Sequence, residues 1–165
     1  PEYILNLEAS TVLKHILEGK GYKVIMTRES HDVNISNSER AIFANNNKAD
    51  MVVRVHADSL NNPGKTGASI LIPAKESKYT TAIYEDSQNC ANLISSKMKE
   101  AGIKVNGVFE RGDLTGFNWS QVPVVLVEMG FLSNYTEDQM MSNPEYQTKL
   151  MQAISDGLDE YFANK

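Results

Sequence analysis

The sequence predicts an α/β domain with a mostly parallel sheet flanked by helices, and two observations support this class. Short apolar runs of strand length alternate along the chain with longer segments whose apolar residues recur at helical spacing. The 165 residues are 41% hydrophobic and 22% charged, which is typical of one globular domain with a single core. We therefore expect residues 1–165 to form a single domain.

Charge and cysteine content exclude several classes of protein. The formal net charge is −5 and no run of Lys or Arg occurs, so we expect no nucleic-acid partner. The single cysteine, Cys90, excludes an internal disulfide framework. No apolar run approaches the roughly 18 residues that a membrane-spanning helix needs, so we expect no membrane span.

The first half of the chain alternates between helix and strand. Apolar residues at helical spacing from Leu5 to Leu17 predict a helix, which Gly21 is suited to end. The sequence Ser36-x-x-Glu39 is a capping box and predicts a second helix start. Two apolar runs that follow these helices predict strands: Tyr22–Thr27 and Met51–His56.

The second half continues the alternation. Apolar residues at helical spacing predict a helix from about Thr81 to Ala101, whereas Ile103–Gln121 carries no clear signal. Asn143 before Pro144 predicts the start of the last helix, with Asn as the cap and Pro in the first helical position. The remaining elements are a turn-rich loop at Asn61–Gly67 and strands at Ala68–Pro73 and Pro123–Val127.

The start of the chain departs from the usual strand-helix-strand order. A helix leads into a strand, with no strand before the helix. A right-handed crossover unit needs a strand on both sides of its helix. We therefore expect the domain to be incomplete at its N-terminus, with a first strand that precedes this sequence.

Two polar residues directly follow apolar runs of predicted central strands. His56 follows Met-Val-Val-Arg-Val, and Glu128 follows Pro-Val-Val-Leu-Val. Sites in open α/β sheets form outside the carboxyl ends of strands, so both side chains could reach one crevice. Glu2, in the first turn of the first helix, could point to the same edge. An imidazole with carboxylates suits catalytic zinc, and a carboxylate that is not a ligand can act as general base.

Each of these three residues also has a structural explanation. Glu2 could stabilise the positive end of the helix dipole. His56 could be a hydrogen-bonded histidine at a strand end. Glu128 could pair with an arginine such as Arg28 or Arg40, because structural ion pairs also perturb carboxylates. The residue types and positions alone leave both explanations open.

Two other stretches carry patterns that suggest chemistry. His31-Asp32 could form an acid/base pair, but we expect it to lie in a solvated loop. Pro63–Gly67 resembles part of a phosphate-binding loop, yet Ser59 stands where that motif requires its first glycine. Nucleotide binding is therefore not expected.

Four blocks of the sequence occur in the order of the motifs of one enzyme family. They are EYILNL (2–7), GYKVIMTRESHD (21–32), SERAIFANNNKADMVVRVHAD (38–58) and VPVVLVEMGFLSN (122–134). In these blocks the chain resembles the zinc-dependent N-acetylmuramoyl-L-alanine amidases, which cut bacterial peptidoglycan. The resemblance implies that Glu2 and His56 bind Zn²⁺ and that Glu128 is the general base.

The resemblance also implies a reaction and a location. The bond cut would be the amide between the lactyl group of N-acetylmuramic acid and the L-alanine of the stem peptide. The partner would be peptidoglycan, the location would be extracellular at the cell wall, and we expect a monomer. The alternatives are a non-catalytic wall-binding module and a different zinc hydrolase that acts on stem peptides.

The sequence departs from the family pattern at three points. The family's first zinc-binding histidine ends a strand before the first helix, a segment that this sequence does not contain. Asp58 stands where asparagine is usual, and we expect it to add negative charge near the metal. Arg54 stands where a small residue is usual, and we expect it to alter that face of its strand.

Overall fold

The computed structural model describes residues 2–30, 35–58 and 62–165. Helices and strands within these ranges account for most of the predicted elements. The helices are α1 (Glu2–Gly19), α2 (Asn37–Asn46), α3 (Tyr84–Glu100), α4 (Thr115–Asn118), α5 (Tyr135–Met141) and α6 (Pro144–Ala163). The strands are β1 (Val52–Asp58), β2 (Ala68–Pro73), β3 (Val105–Arg111) and β4 (Val124–Phe131).

The strands form one sheet in the order β1-β4-β2-β3. β1 pairs with β4 in parallel and β2 pairs with β3 in parallel, whereas β2 and β4 are antiparallel. The predicted mostly parallel sheet is therefore confirmed. The antiparallel contact has a consequence for the site, because it brings the starts of β2 and β3 to the edge where β1 and β4 end.

Helices cover the two faces of this sheet unequally. On one face, strand residues such as Val55, Ile70 and Val127 pack against α1, α3 and α6 in one large core cluster. On the other face, Leu126 and Phe117 belong to a much smaller cluster beside α4. Successive side chains of a strand point to opposite faces, so each strand contributes to both clusters.

Several helix ends lie where local sequence signals predict them. The Ser36 hydroxyl accepts a hydrogen bond from the backbone N–H of Glu39 at 3.2 Å, which confirms the capping box of α2. Asn143 caps α6 by accepting from the N–H groups of Glu145 and Tyr146. None of the helices in the described ranges is long and apolar enough to cross a membrane.

The prediction of a strand at Tyr22–Thr27 is wrong. These residues form no strand and lie, together with β1, around a cavity of about 420 Å³. A strand needs a hydrogen-bonded neighbour about 4.8 Å away, and no described strand pairs with this segment. Tyr22 instead packs its ring on Phe162 and donates its hydroxyl to Asp159 at 2.8 Å. The segment is therefore held by α6 rather than by the sheet.

The unassigned stretch Ile103–Gln121 contains β3 and α4, and the sequence analysis also missed α5. Both missed helices are short, at 4 and 7 residues, so helical spacing cannot reveal them. The proposed pair His31-Asp32 lies outside the described residues.

Candidate active site

Two predicted site residues are neighbours on the less covered face of the sheet. The parallel register of β1 and β4 sets His56 directly opposite Glu128. The antiparallel register of β4 and β2 sets Glu128 opposite Ser69. Residues that face each other on adjacent strands point to the same side of the sheet. His56, Glu128 and Ser69 therefore form one row across the sheet, which we call the polar row.

The start of α1 brings Glu2 to this row. The Glu2 carboxylate oxygen Oε1 lies 3.8 Å from His56 Nδ1. One helical turn later, the side chain of Asn6 hydrogen-bonds Glu2 and also accepts from the backbone N–H of Ala57 at 2.9 Å. Residues four apart on a helix share a face, so Asn6 can hold both the Glu2 carboxylate and the end of β1. The three predicted residues thus meet at one place.

The environment keeps His56 neutral. Burial lowers the pKa of His56 to about 4, and the positive charges of Arg54, Arg40 and Arg28 act in the same direction. A neutral imidazole has a free ring nitrogen that can bind a metal ion, whereas imidazolium does not. At neutral pH His56 is therefore in the form that a ligand requires.

Arg54 lies on the same face as His56, two residues earlier on β1. Its guanidinium donates to the side-chain oxygen of Asn37 in α2 at 2.9 Å. A side-chain carbon added at Gly116 would collide with this guanidinium, so α4 also approaches it closely. Arg54 therefore fills the part of the face between α2 and α4, as expected for a large residue in place of a small one.

Glu128 is a poorly solvated carboxylate with an available oxygen. Burial raises the pKa of Glu128 to about 7, and the negative charges of Asp58 and Glu2 add to this effect. Its Oε2 atom is buried and has no hydrogen-bond partner among the described residues. Such a group can accept a proton near neutral pH, which is the property of a general base.

The structural alternative for Glu128, an ion pair with Arg28 or Arg40, does not form within the described ranges. Arg28 donates to the backbone oxygen of Tyr3 at 2.8 Å. Arg40 donates to the backbone oxygen of Ile35 at 3.3 Å. The charges of Arg111 and Arg54 act on Glu128 at longer range and partly offset the rise in its pKa.

A metal ion could be held by Glu2 and His56. Each zinc–ligand bond is about 2.0–2.2 Å long, so two donor atoms 3.8 Å apart can contact the same ion. The described residues contain no group of three or more His, Cys, Asp or Glu side chains that could hold a metal. The pair therefore fits part of a tetrahedral zinc site, which needs further ligands.

Residues near the site that the sequence analysis did not single out hold its edge together. The Glu137 carboxylate accepts from the N–H of Gly67 at 2.9 Å and from the N–H of Phe131 at 3.0 Å. It thereby joins the start of β2 to the end of β4. Asn134 caps α5 and donates to the backbone oxygen of Pro63 at 2.7 Å. The spacing Asn134-x-x-Glu137 is a helix-start signal that could have revealed α5.

Known proteins with similar sequences include cell wall enzymes. The chain is 28% identical over 163 residues to a probable cell wall amidase, LytH, of Staphylococcus saprophyticus, a match that covers 98% of this chain and 50% of that protein. It is 29% identical over 158 residues to the uncharacterized protein YqiI of Bacillus subtilis, covering 96% of this chain and 73% of that protein. The chain thus spans about half the length of the cell wall amidases that it matches.

Solved structures with a similar fold include amidases. The N-acetylmuramyl-L-alanine amidase Ami1 of Mycobacterium smegmatis has a TM-score of 0.91 and 25% identity, covering 100% of this chain and 78% of that chain. An N-acetylmuramoyl-L-alanine amidase of Clostridium difficile 630 has a TM-score of 0.88 and 28% identity, covering 99% and 85%. The sequence model of the N-acetylmuramoyl-L-alanine amidases matches residues 1–160. Because that match spans almost the whole chain, the chain belongs to the N-acetylmuramoyl-L-alanine amidase family.

Proposed function

We propose that this chain is the catalytic domain of a peptidoglycan hydrolase. The bond that it cuts is the amide between N-acetylmuramic acid and the L-alanine of the stem peptide. One observation carries the proposal: Glu2, His56 and Glu128 meet on an open sheet face in a chain of the amidase family. The domain would act at the cell wall, outside the cell, as a monomer.

Glu2 and His56 are the residues that would hold a zinc ion in this site. Zinc, when bound, polarises the carbonyl of the scissile amide and lowers the pKa of a water molecule. His56 is neutral, so a ring nitrogen can bind the ion. Glu2 is kept near His56 by the first turn of α1 and by Asn6. The protein's contribution is therefore a fixed pair of donors beside the end of β1.

Glu128 would move the proton in this reaction. Its buried Oε2 accepts a proton from the attacking water and then passes it to the nitrogen of the departing L-alanine. The burial that raises the pKa of Glu128 to about 7 makes the carboxylate a strong enough base and the carboxylic acid a usable donor near neutral pH. β4 is buried along most of its length, so it fixes this carboxylate on a rigid element.

Product analysis on purified peptidoglycan tests the proposed bond. The full-length protein should release intact stem peptides with a new free amino group on L-alanine, and leave the glycan strands whole. Mass spectrometry of the soluble peptides and assay of the new amino groups measure both results. Peptide fragments cut within the stem would contradict the amidase assignment and indicate a peptidase instead. Binding of the wall without any cleavage would indicate a wall-binding module.

Metal removal tests the cofactor separately. Dialysis against a chelator should abolish cleavage, and added Zn²⁺ should restore it. The metal content of the restored protein should be measured alongside its activity, because activity that exceeds the amount of bound zinc would point to another ion. Full activity after complete removal of the metal would contradict zinc dependence while leaving the bond assignment intact.

A further inference from the structure

A second cleft adjoins the polar row on the same edge of the sheet. It has a volume of about 540 Å³ and lies where β2 and β3 begin, next to the end of β4. Its walls include six residues that we group as the cationic cleft: Lys65, Thr66, Ser69, Lys104, Phe109 and Arg111. Ser69 is opposite Glu128 in the sheet register, so the cationic cleft is continuous with the polar row.

The charge of the cationic cleft is opposite to that of the chain. The formal net charge of the protein is −5, yet the charged residues that line this cleft are two lysines and one arginine. Lys65 and Lys104 are exposed, and neither forms an ion pair with another described residue. The Lys104 ammonium donates to the neutral hydroxyl of Thr66 at 2.7 Å, which fixes its position without cancelling its charge.

Arg111 contributes less uncompensated positive charge to the cleft than the lysines do. Its guanidinium donates to both carboxylate oxygens of Asp113 at 2.8 Å. The same guanidinium also interacts electrostatically with Glu128 and Asp58, so it lies within reach of the polar row. Lys104 is therefore the cleaner probe of the cleft, because changing it disturbs neither an ion pair nor the arginine that acts on Glu128.

The floor of the cleft is apolar, and one of its positions carries no side chain. Leu71 and Phe109 face each other across β2 and β3, and Phe109 is 46% exposed. Gly107 stands opposite Ser69 and adds no side chain to the floor. A strip of this kind accommodates a short extended peptide, whose aliphatic parts lie on Phe109 while an anionic group reaches the lysines.

We propose that the cationic cleft binds a free carboxylate of the stem peptide, close to the scissile amide. This proposal rests on the proposed function, because in that function the stem peptide is the group that leaves N-acetylmuramic acid beside Glu128. Because the cationic cleft adjoins the polar row, the bound peptide would run from Glu128 over Ser69 towards Lys104. A carboxylate at this place would receive charge-assisted hydrogen bonds, which are about twice as strong as neutral ones.

Two muramyl peptides test this subsite. They differ only in whether the free carboxyl group of the second peptide residue is a carboxylate or a primary amide. The full-length enzyme should cleave the carboxylate form with a KM about three- to tenfold lower, at similar kcat, because the contact is made before the reaction and is partly exposed. The preference should shrink as salt is added.

Lys104→Gln should remove most of this preference, by raising the KM for the carboxylate substrate towards the KM for the amide substrate. Glutamine keeps a donor for Thr66 but carries no charge. Lys99→Gln is the matched control, because Lys99 is an exposed lysine at the end of α3, away from the cleft. Equal KM values for the two substrates in the unmodified enzyme would overturn the proposal, as would an unchanged preference in Lys104→Gln.

Direct binding separates failure of the subsite from failure of the proposed function. If the enzyme cleaves neither the muramyl peptides nor purified peptidoglycan, the proposed function fails, and titration of the two free peptides followed by NMR then decides the subsite. Tighter binding of the carboxylate peptide, lost in Lys104→Gln and kept in Lys99→Gln, would still support it. Equal binding of both peptides would overturn it.

Discussion

The two faces of the sheet differ in what covers them. One face lies under α1, α3 and α6, and most of its residues in β1, β2 and β4 are buried. Among the described residues, the other face is covered only in part, by the small cluster beside α4, and the remaining part carries His56 and Glu128. The same sheet therefore supplies a closed core on one side and the candidate active site on the other.

Because of this difference, we expect the residues that stabilise the fold and the residues of the candidate site to lie on opposite faces of the sheet. Apolar burial stabilises the fold by roughly 25 cal/mol for each Å² removed from water, and most of that burial lies on the covered face. A buried carboxylate oxygen without a hydrogen-bond partner costs free energy, and Oε2 of Glu128 has no such partner among the described residues. We expect changes on the open face to alter activity with little loss of stability, and changes on the covered face to do the reverse.

The largest effect is expected from Glu128→Gln. Glutamine preserves the shape of the side chain but cannot accept the proton of the attacking water. Turnover on purified peptidoglycan should fall by about 10²–10⁴, the usual contribution of a positioned general base. The free energy of unfolding should stay the same or rise, because the substitution removes the charge of a poorly solvated carboxylate whose Oε2 has no hydrogen-bond partner among the described residues.

His56→Ala is the comparison for this variant. It should lose metal and activity together, whereas Glu128→Gln should keep its metal, as measured by elemental analysis of both proteins. Loss of metal in Glu128→Gln would make Glu128 a ligand and reverse the proposed roles. A large loss of stability in Glu128→Gln would contradict the expectation that changes on the open face alter activity but not stability.

A smaller effect, on stability alone, is expected from Gly157→Ala on the covered face. A β-carbon at Gly157 would lie 2.6 Å from the α-carbon of Ile94 and 2.8 Å from its backbone nitrogen. These are backbone atoms, so α3 and α6 must move apart. Overpacking of this kind should lower the free energy of unfolding by about 1–3 kcal/mol, despite the gain in helix propensity.

Gly19→Ala is the matched control, because Gly19 ends α1 and has no atom within 4 Å of an added β-carbon. It should be neutral or slightly stabilising. Urea unfolding of both variants gives the two free energies. The kcat of folded Gly157→Ala should match that of the unmodified enzyme. A change in kcat without a change in stability would show that the α3–α6 contact serves the open face.

The sequence predicts elements best where a local signal fixes them. The cap at Asn143 and the apolar run that begins at Val124 each depend on a few neighbouring residues, and α6 and β4 form as predicted. Tyr22–Thr27 has the composition of a strand but no neighbouring described strand, and pairing depends on residues distant in sequence. Composition alone could not reveal that this segment packs on α6.

The same distinction holds for the candidate site. Glu2, His56 and Glu128 could be predicted because they occupy motif positions at the start of a helix and the ends of apolar runs. The proximity of Ser69 and Lys104 to the candidate site could not be predicted, because it depends on the strand order. Only the antiparallel contact of β2 with β4 brings the starts of β2 and β3 beside Glu128.

The smallest effect is expected at the exposed rim of the covered face, where Lys20 joins the end of α1 to α6. Its ammonium lies 2.6 Å from Asp159 and 3.2 Å from Asp156, and Tyr22 also donates to Asp159. Burial alone would raise the pKa of Asp159, but the hydrogen bonds from Lys20 and Tyr22 outweigh burial and lower it. An aspartate with a lowered folded pKa stabilises the protein above its unfolded pKa, and that stability is lost as the pH falls through the folded value.

Lys20→Met should therefore cost about 0.5 kcal/mol at pH 7, because these carboxylates are partly exposed and water screens the pairs. The cost should disappear in acid, once Asp159 is protonated in both variants. Lys23→Met is the control, since Lys23 is exposed and forms no ion pair with another described residue. Urea unfolding at pH 7 and at acidic pH measures the difference. A cost that persists unchanged in acid would assign the effect to packing of the lysine chain on α6 rather than to its charge.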